Sequence, residues 1–133
     1  MSEPVWITKK IALALHRRQL AEHGGGDGIR DVGMLESALA RPQQSYAYGD
    51  PPPDICALSA AYAFGIAKNH PFVDGNKRTA YVMMRLFLIR NGRELTATKE
   101  DRYYAMLALA AGEHTENSFV KWLRENSRPM KDR

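Results

Sequence analysis

A short stretch near the middle of the chain combines residue types that bind phosphate and move protons. From position 70 to position 78 the sequence reads HPFVDGNKR, which contains an imidazole, a carboxylate, a glycine and two adjacent cations. An imidazole can act as a general base near neutral pH, and a carboxylate beside phosphates commonly binds Mg²⁺. Arginine can donate two parallel hydrogen bonds to phosphate oxygens. We therefore predict a phosphate-binding active site in this stretch.

Each of these side chains can be given a role. His70 is the candidate general base, which would take the proton from an attacking hydroxyl. Asp74 is the candidate Mg²⁺ ligand, together with phosphate oxygens and water. Lys77 and Arg78 are the candidate phosphate-binding cations, and Gly75 lets the backbone come close to the ligand.

Two predicted helices flank this stretch and would position it. Asp54 can cap the upstream helix, whose apolar residues recur at spacings of three and four, and Pro71 ends it. Residues 76–90 are apolar on nearly every face, as in a helix at the middle of a bundle. Residues 74–76 then lie at the N-terminus of that helix, where free N–H groups and the helix dipole favour an anion. Phe72 is expected to point inward and fix the connecting loop.

Plainer interpretations of the same residues exist. Asp-Gly is a strong β-hairpin signal, but neither flank alternates between apolar and polar residues, and both flanks are long and helical. His70 alone would more often be a structural histidine, and Lys77 with Arg78 alone a solvated pair. Their convergence within one turn favours an active site. The sequence leaves open a relative that retains these residues and has lost activity.

The remaining segments predict an all-α fold, a compact single-domain bundle of about six helices around the central, buried motif helix. The domain is expected to span residues 1–133, with its core between about 5 and 125 and a frayed basic tail from 127 to 133. Thr8 starts the first helix, which ends near His23, and its inward residues are expected to be Ile11, Ala14, Leu15 and Leu20.

The second predicted helix is short, capped by Asp31 and closed by Pro42. Residues 43–53 are then expected to form an irregular connection. Thr98 and Thr115 are expected to start the fifth and sixth helices.

Composition and charge narrow the functional classes. The chain is 44% hydrophobic and 26% charged, as in ordinary soluble proteins, and its apolar run at 80–89 is interrupted by Arg85. We expect a cytoplasmic protein with no membrane role. The single cysteine, Cys56, excludes a disulfide within the chain and is expected to be a small buried apolar residue. The histidines and Cys56 have no spacing typical of a zinc site.

The net charge of +4 raises a second class, a module that binds nucleic acid or a protein. Basic residues occur at Lys9–Lys10, at His16–Arg18 and in the tail, but they form no stripe interleaved with aromatic residues of the kind that binds RNA. An exposed helix face accounts for the first two groups. Nucleic acid is therefore disfavoured, and an acidic protein partner explains the charge equally well.

Residues 70–78 also resemble the signature of the Fic/Doc superfamily, His-x-Phe-x-Asp/Glu-Gly-Asn-x-Arg, at every defining position. Fic enzymes usually carry glycine where this chain has Lys77, and a lysine there is typical of the Doc (death-on-curing) branch. Residues 28–42 resemble the N-terminal half of Doc proteins. The resemblance spans about residues 5 to 125.

The resemblance implies an all-α enzyme that transfers part of ATP, bound with Mg²⁺, to a protein hydroxyl. Fic proteins mostly transfer the nucleotidyl group. In the Doc branch the lysine fills space that glycine leaves for phosphates, the nucleotide binds reversed, and the γ-phosphoryl group goes to a threonine of elongation factor Tu, which arrests translation. By this resemblance His70 is the base, Asp74 the Mg²⁺ ligand, Lys77 and Arg78 the phosphate clamps, and Asn76 binds a phosphate oxygen.

The resemblance also implies partners. Doc toxins are neutralised by the C-terminal segment of a cognate antitoxin, which folds on binding. The nearest approach to the inhibitory helix of other Fic proteins, residues 121–126, has lysine where a hydroxyl residue is expected. Restraint would then come from another polypeptide. Residues 43–53, with Tyr46 and Tyr48, are the candidate flap for the target protein. Nucleotidyl transfer at the same site and a non-catalytic relative of the fold are the alternatives.

Overall fold

A computed structural model describes residues 3–131. Within this range the chain forms six helices and two short strands, which confirms the predicted all-α class. The helices are α1 (Lys9–His23), α2 (Val32–Tyr48), α3 (Ile55–Asn69), α4 (Asn76–Arg90), α5 (Lys99–Ala110) and α6 (Glu116–Glu125). The strands β1 (Arg93–Leu95) and β2 (Ser127–Pro129) pair antiparallel. No helix within residues 3–131 is both long and apolar enough to cross a membrane.

Side-chain caps explain where most of the helices begin. At the start of a helix, a threonine or aspartate oxygen accepts a hydrogen bond from the amide of the third helical residue and so stabilises the first turn. This bond is present before α1, α2, α3, α5 and α6, with Thr8, Asp31, Asp54, Thr98 and Thr115 as the caps. The first residues of these helices were therefore predictable from sequence. α4 begins instead at Gly75, which provides no side-chain cap.

The core lies around α3 and α4. α3 contacts α2, α4, α5 and α6, while α4 also packs on α1 and α5. Ten of the residues of α3 are buried, and α4 buries Met83, Met84, Phe87 and Leu88 while it exposes Arg85 and Arg90. The hydroxyl of Ser59 in α3 donates to the carbonyl of Met84 in α4 at 2.9 Å. These contacts fix the two helices that flank residues 70–75.

The prediction that Pro42 closes α2 is wrong. Pro42 lies inside the helix, which continues to Tyr48, and the proline itself is buried. A proline removes one helical hydrogen bond and crowds the preceding turn. Tertiary contacts offset that cost, because Tyr46 packs edge-on against Trp6 with ring centroids 5.6 Å apart. Residues 43–48 are therefore helical, and the irregular connection predicted for 43–53 is confined to residues 49–54.

Two further expectations are corrected. Ser127–Pro129 form β2, and Arg93 donates hydrogen bonds to the hydroxyl and carbonyl oxygens of Ser127. The prediction that the tail is frayed is therefore wrong for these residues. The last two residues of the predicted tail, 132 and 133, lie outside the described residues. In α1, Ala14 is exposed, whereas the buried residues are Ala12, His16 and Gln19.

A buried tyrosine provides a test of the packing. The hydroxyl oxygen of Tyr62 accepts a hydrogen bond from the amide of Ile7 at 3.1 Å, and burial raises the pKa of Tyr62 to about 12. Tyr62→Phe would leave that buried amide unpaired and should lower the free energy of unfolding by about 1–3 kcal/mol. Urea unfolding measures this. Tyr48→Phe, at a side chain that is 88% exposed, is the matched control and should change little. Equal effects would contradict the packing described.

Candidate active site

Residues 70–75, here called the motif loop, connect α3 to α4. His70 has a left-handed backbone (φ 49°), and its amide donates to the carbonyl of Ile66 at 3.1 Å. Pro71 disfavours a right-handed helical backbone at His70, and histidine is among the residues that adopt the left-handed region. The chain therefore turns sharply at the end of α3. The turn leaves His70 exposed and buries Phe72 completely, so the inward orientation predicted for Phe72 is confirmed.

Asn76 fixes the shape of the motif loop. Its side-chain oxygen accepts from the Phe72 amide at 3.0 Å, and its side-chain nitrogen donates to the Phe72 carbonyl at 2.9 Å. The same nitrogen lies 3.3 Å from Nδ1 of His70. Both of its N–H groups are thus directed within the loop, and the residue is only 5% exposed. The side chain of Asn76 therefore positions the loop and His70, and its contact with a phosphate oxygen stays a prediction.

The segment 24–31 pairs with the motif loop. The amides of Arg30 and Asp31 donate to the carbonyl of Pro71 at 2.7 and 3.0 Å, and the amide of Val73 donates to the carbonyl of Gly28 at 3.0 Å. These bonds place a short extended piece of chain beside residues 71–73. Segment 24–31 is therefore an irregular segment that lies against the motif, whereas the flap role of residues 43–53 stays a prediction.

Arg30 also binds the C-terminus of α3. Its Nε donates to the carbonyl of His70 at 2.6 Å, and a terminal guanidinium nitrogen donates to the carbonyl of Asn69 at 2.7 Å. These carbonyls would otherwise lack partners at the helix end, and a cation there is favoured by the helix dipole. Arg30 thereby ties segment 24–31 to the residue predicted to be the base.

Asp74 is held as a carboxylate. One oxygen accepts from the Gly75 amide at 2.8 Å and the other from the Gly26 amide at 3.3 Å. These two N–H groups, with a smaller contribution from the nearby positive charge of Arg78, lower the pKa of Asp74 below its ordinary value. An ionised carboxylate at this position suits a divalent cation. Within residues 3–131 no three acidic, histidine or cysteine side chains cluster as a metal site.

The first turn of α4 is arranged to receive an anion. Gly75 precedes the helix with φ 76° and makes no capping hydrogen bond. Lys77 and Arg78 are exposed, and in the part of the chain that the structure describes neither forms an ion pair. Free amides, the positive end of the helix dipole and two unpaired cations all favour phosphate oxygens at this place.

A cleft lies beside His70 at the end of α3. Its volume is about 530 Å³, and it runs between the end of α3 and the turn that joins α5 to α6. Clefts of this size accommodate small ligands or single side chains of a partner. A substrate group in the cleft would lie next to the imidazole. The lining residues are Phe64, Ala67, Lys68, His70, Leu109, Ala110, Gly112, His114 and Thr115.

Sequence reasoning missed one buried residue at the site. His16 was considered only as part of a basic surface group, but its side chain is 3% exposed and its Nε2 lies 2.8 Å from the carbonyl oxygen of Asp74. Arg30 was likewise given no role. The only sequence signal for His16 is its spacing of four from Ala12, which places both on one face of α1. An apolar pattern cannot reveal a buried polar residue.

The motif and the fold agree with those of a known family. A sequence model of the Fic/DOC family matches residues 6–88. The chain belongs to the Fic/DOC family. The assignment made from residues 70–78 is thus confirmed.

Three relatives show how far the similarity extends. The chain is 35% identical over 118 residues to the protein kinase doc of Escherichia phage P1, covering 89% of this chain and 92% of the phage protein. It is 43% identical over 74 residues to the toxin Doc of Mycolicibacterium smegmatis, covering 56% of this chain and 57% of that protein. It is 30% identical over 146 residues to the protein adenylyltransferase Fic of Drosophila persimilis, covering 90% of this chain but only 27% of the fly protein.

The glycines beside Asp74 allow a test of its environment. A Cβ on Gly25 would lie 2.9 Å from a carboxylate oxygen of Asp74, whereas a Cβ on Gly24 would meet nothing within 4 Å, and both glycines have positive φ. Gly25→Ala should displace the carboxylate from the Gly26 amide and raise the pKa of Asp74 towards its ordinary value. Carboxyl-carbon NMR titration measures this, with Gly24→Ala as the control for backbone strain.

The direction of the pH effect follows from the lowered pKa. Hydrogen bonds to the ionised carboxylate stabilise the fold above the ordinary pKa of the carboxyl, and this stabilisation is lost as the pH falls through the lowered value. In Gly25→Ala this stabilisation should be smaller, and its loss should be complete at a higher pH, because only the folded-state pKa moves. Identical titration curves for Gly25→Ala and Gly24→Ala would show that the Gly26 amide does not influence Asp74.

Proposed function

We propose that this chain is a Doc-type toxin of a type II toxin–antitoxin system. In this proposal it transfers the γ-phosphoryl group of ATP to a serine or threonine hydroxyl of a translation factor similar to elongation factor Tu, and so arrests translation. The observation that carries the proposal is the uncapped first turn of α4 beside an exposed histidine and an ionised aspartate. The extensive similarity to a phage protein kinase supports phosphoryl transfer.

The phosphates of ATP are proposed to bind at the first turn of α4. The free amides there would donate hydrogen bonds to phosphate oxygens, with Lys77 and Arg78 as neighbouring cations and Gly75 allowing close approach. Asp74 would bind Mg²⁺ together with phosphate oxygens. The ion, when bound, neutralises charge that develops on the transferred group. Asp74 is available as a metal ligand, because hydrogen bonds from the Gly75 and Gly26 amides keep its carboxyl group ionised.

His70 would act as the base. The acceptor hydroxyl oxygen forms a bond to the γ-phosphorus, the bond from that phosphorus to the β,γ-bridging oxygen breaks, ADP leaves, and the hydroxyl proton passes to His70. In the free protein, the N–H of Asn76 at 3.3 Å makes Nδ1 of His70 an acceptor, which favours a hydrogen on Nε2. A base acting through Nδ1 must be released from Asn76, and a base acting through Nε2 must first lose that hydrogen. This long contact must therefore open, or the ring must exchange its proton, when substrates bind.

Nucleotidyl transfer is the alternative chemistry at the same site. It is favoured by the similarity to a fly protein adenylyltransferase, which covers 90% of this chain. Lys77 argues against it, because a long side chain stands in the first turn of α4 where glycine would leave room for further phosphates. A non-catalytic binding module is the remaining alternative. A binding module without catalysis would not explain why two cations without ion-pair partners, an ionised Asp74 and an exposed His70 lie together.

The partners and location follow from the same proposal. A cognate antitoxin would restrain the toxin with a C-terminal segment that folds on binding, and the net charge of +4 suits an acidic segment. The target lies in the cytoplasm, so we propose a cytoplasmic protein. We further propose that residues 1–133 form a single catalytic domain and that nucleic acid is not its ligand.

Isotope labelling tests the chemistry. Purified protein incubated with elongation factor Tu and Mg²⁺ should transfer label from γ-labelled ATP and none from α-labelled ATP. His70→Ala should reduce the rate by about 10²–10⁴-fold, the usual contribution of a general base, without unfolding the protein. His23→Ala, at an exposed histidine outside the motif loop, is the control and should retain activity. Transfer of the α label instead would replace the kinase assignment with nucleotidyl transfer.

The steric role proposed for Lys77 can be tested separately. Lys77→Gly should open space at the first turn of α4 and shift transfer from the γ label towards the α label. The ratio of the two labels on the target measures the shift. Lys121→Gly, at an exposed lysine of α6, is the control for loss of a positive charge. An unchanged ratio in Lys77→Gly would remove the steric explanation for the lysine.

A further inference from the structure

One side chain from α1 contacts two residues of the motif loop, Asp74 and Phe72. His16 is 3% exposed, and its Nε2 lies 2.8 Å from the carbonyl oxygen of Asp74. A carbonyl can only accept, so Nε2 carries a hydrogen and donates it. The imidazole also stacks on the ring of Phe72, with centroids 3.8 Å apart and planes at 7°. A Cβ placed on Gly75 would lie 3.7 Å from Nε2 of His16, so the imidazole also lies beside the turn at Gly75.

These contacts act on a peptide unit that has two accessible orientations. Gly75 has φ 76°, and glycine adopts negative φ equally well. Rotation of the Asp74–Gly75 peptide by half a turn is therefore sterically open at Gly75. A residue with a Cβ would restrict this rotation. Because Gly75 has no Cβ, another interaction must select one orientation of the peptide.

The orientation matters for anion binding. In the observed structure the Asp74 carbonyl points at a buried imidazole, and the Gly75 amide donates to the Asp74 carboxylate at 2.8 Å. After rotation the two groups of the peptide would exchange directions, so the carbonyl oxygen would point as the Gly75 N–H does now, towards the Asp74 carboxylate and away from α1. Its partial negative charge would repel that carboxylate and a phosphate bound beside it, where the Gly75 N–H now attracts negative charge.

We propose that His16 is a positioning residue, which holds the Asp74–Gly75 peptide with its oxygen directed away from the anion site at the start of α4. The inference rests on the proposed binding of phosphate at that helix end. His16 acts through the backbone of the motif loop and touches neither nucleotide nor acceptor. The stack on Phe72 fixes the imidazole where its N–H can reach the carbonyl.

Three substitutions separate the contributions. His16→Phe retains an aromatic ring against Phe72 but has no donor. His16→Gln retains an N–H donor of similar reach but has no ring. Gln19→Leu is the matched control, because Gln19 is buried on the same face of α1 and donates no hydrogen bond to the motif loop. Two quantities are measured for each variant, namely the Kd for ATP with Mg²⁺ by calorimetry and the hydrogen-exchange rate of the Gly75 amide.

In His16→Phe the Kd should rise about tenfold, and the Gly75 amide should exchange about tenfold faster, as expected for loss of one buried hydrogen bond. His16→Gln should stay within about threefold of the wild type in both quantities, because it restores the donor. Gln19→Leu should match the wild type. If His16→Phe does not fold, His16→Asn takes its place, since its amide is too short to reach the carbonyl.

Two results would overturn the role of His16. One is a folded His16→Phe whose Kd and Gly75 exchange equal those of the wild type. The other is His16→Gln behaving as His16→Phe does, which would assign the effect to the ring alone. A failure of the proposed function is recognised differently, because the wild-type protein itself would then bind no ATP. The exchange rate of the Gly75 amide would still decide whether His16 holds the peptide.

Discussion

The free amide groups at the start of α4 are the feature around which the site is built. Five helices of the described chain begin with a threonine or aspartate that satisfies an amide of the first turn. α4 begins with a glycine in a left-handed conformation and leaves these amides without a side-chain partner. Two cations then follow at a helix end where cations are disfavoured. An anion would compensate for both features, and we propose that the other residues of the motif are arranged around it.

This helix end must be held firmly by residues far away in the sequence. Residues 70–75 contain a sharp turn at His70 and a glycine at 75, so the loop has little stiffness of its own. Asn76 binds it from the first residue of α4, segment 24–31 pairs along it, and His16 contacts it from α1. The last two of these partners lie far earlier in the chain. The site therefore depends on packing of α1 and α2 against the helices that carry the motif.

Much of this arrangement could be predicted from local sequence. Capping residues located the starts of five helices, and the residue types at 70–78 located the candidate site, because both signals lie within a few residues of what they determine. The features that could not be predicted depend on distant contacts. Burial of Pro42 and the contact between Trp6 and Tyr46 extend α2. The pairing of Ser127–Pro129 with β1 orders the tail. His16 can be buried because the Asp74 carbonyl accepts a hydrogen bond from its ring.

The most direct test is a crystal structure of the protein with Mg²⁺ and a non-hydrolysable ATP analogue. We predict phosphate oxygens within about 3 Å of the first-turn amides of α4, the usual hydrogen-bond distance, with Asp74 on the metal and His70 facing the γ-phosphate. The analogue bound elsewhere, with the first turn of α4 free of phosphate, would contradict the account.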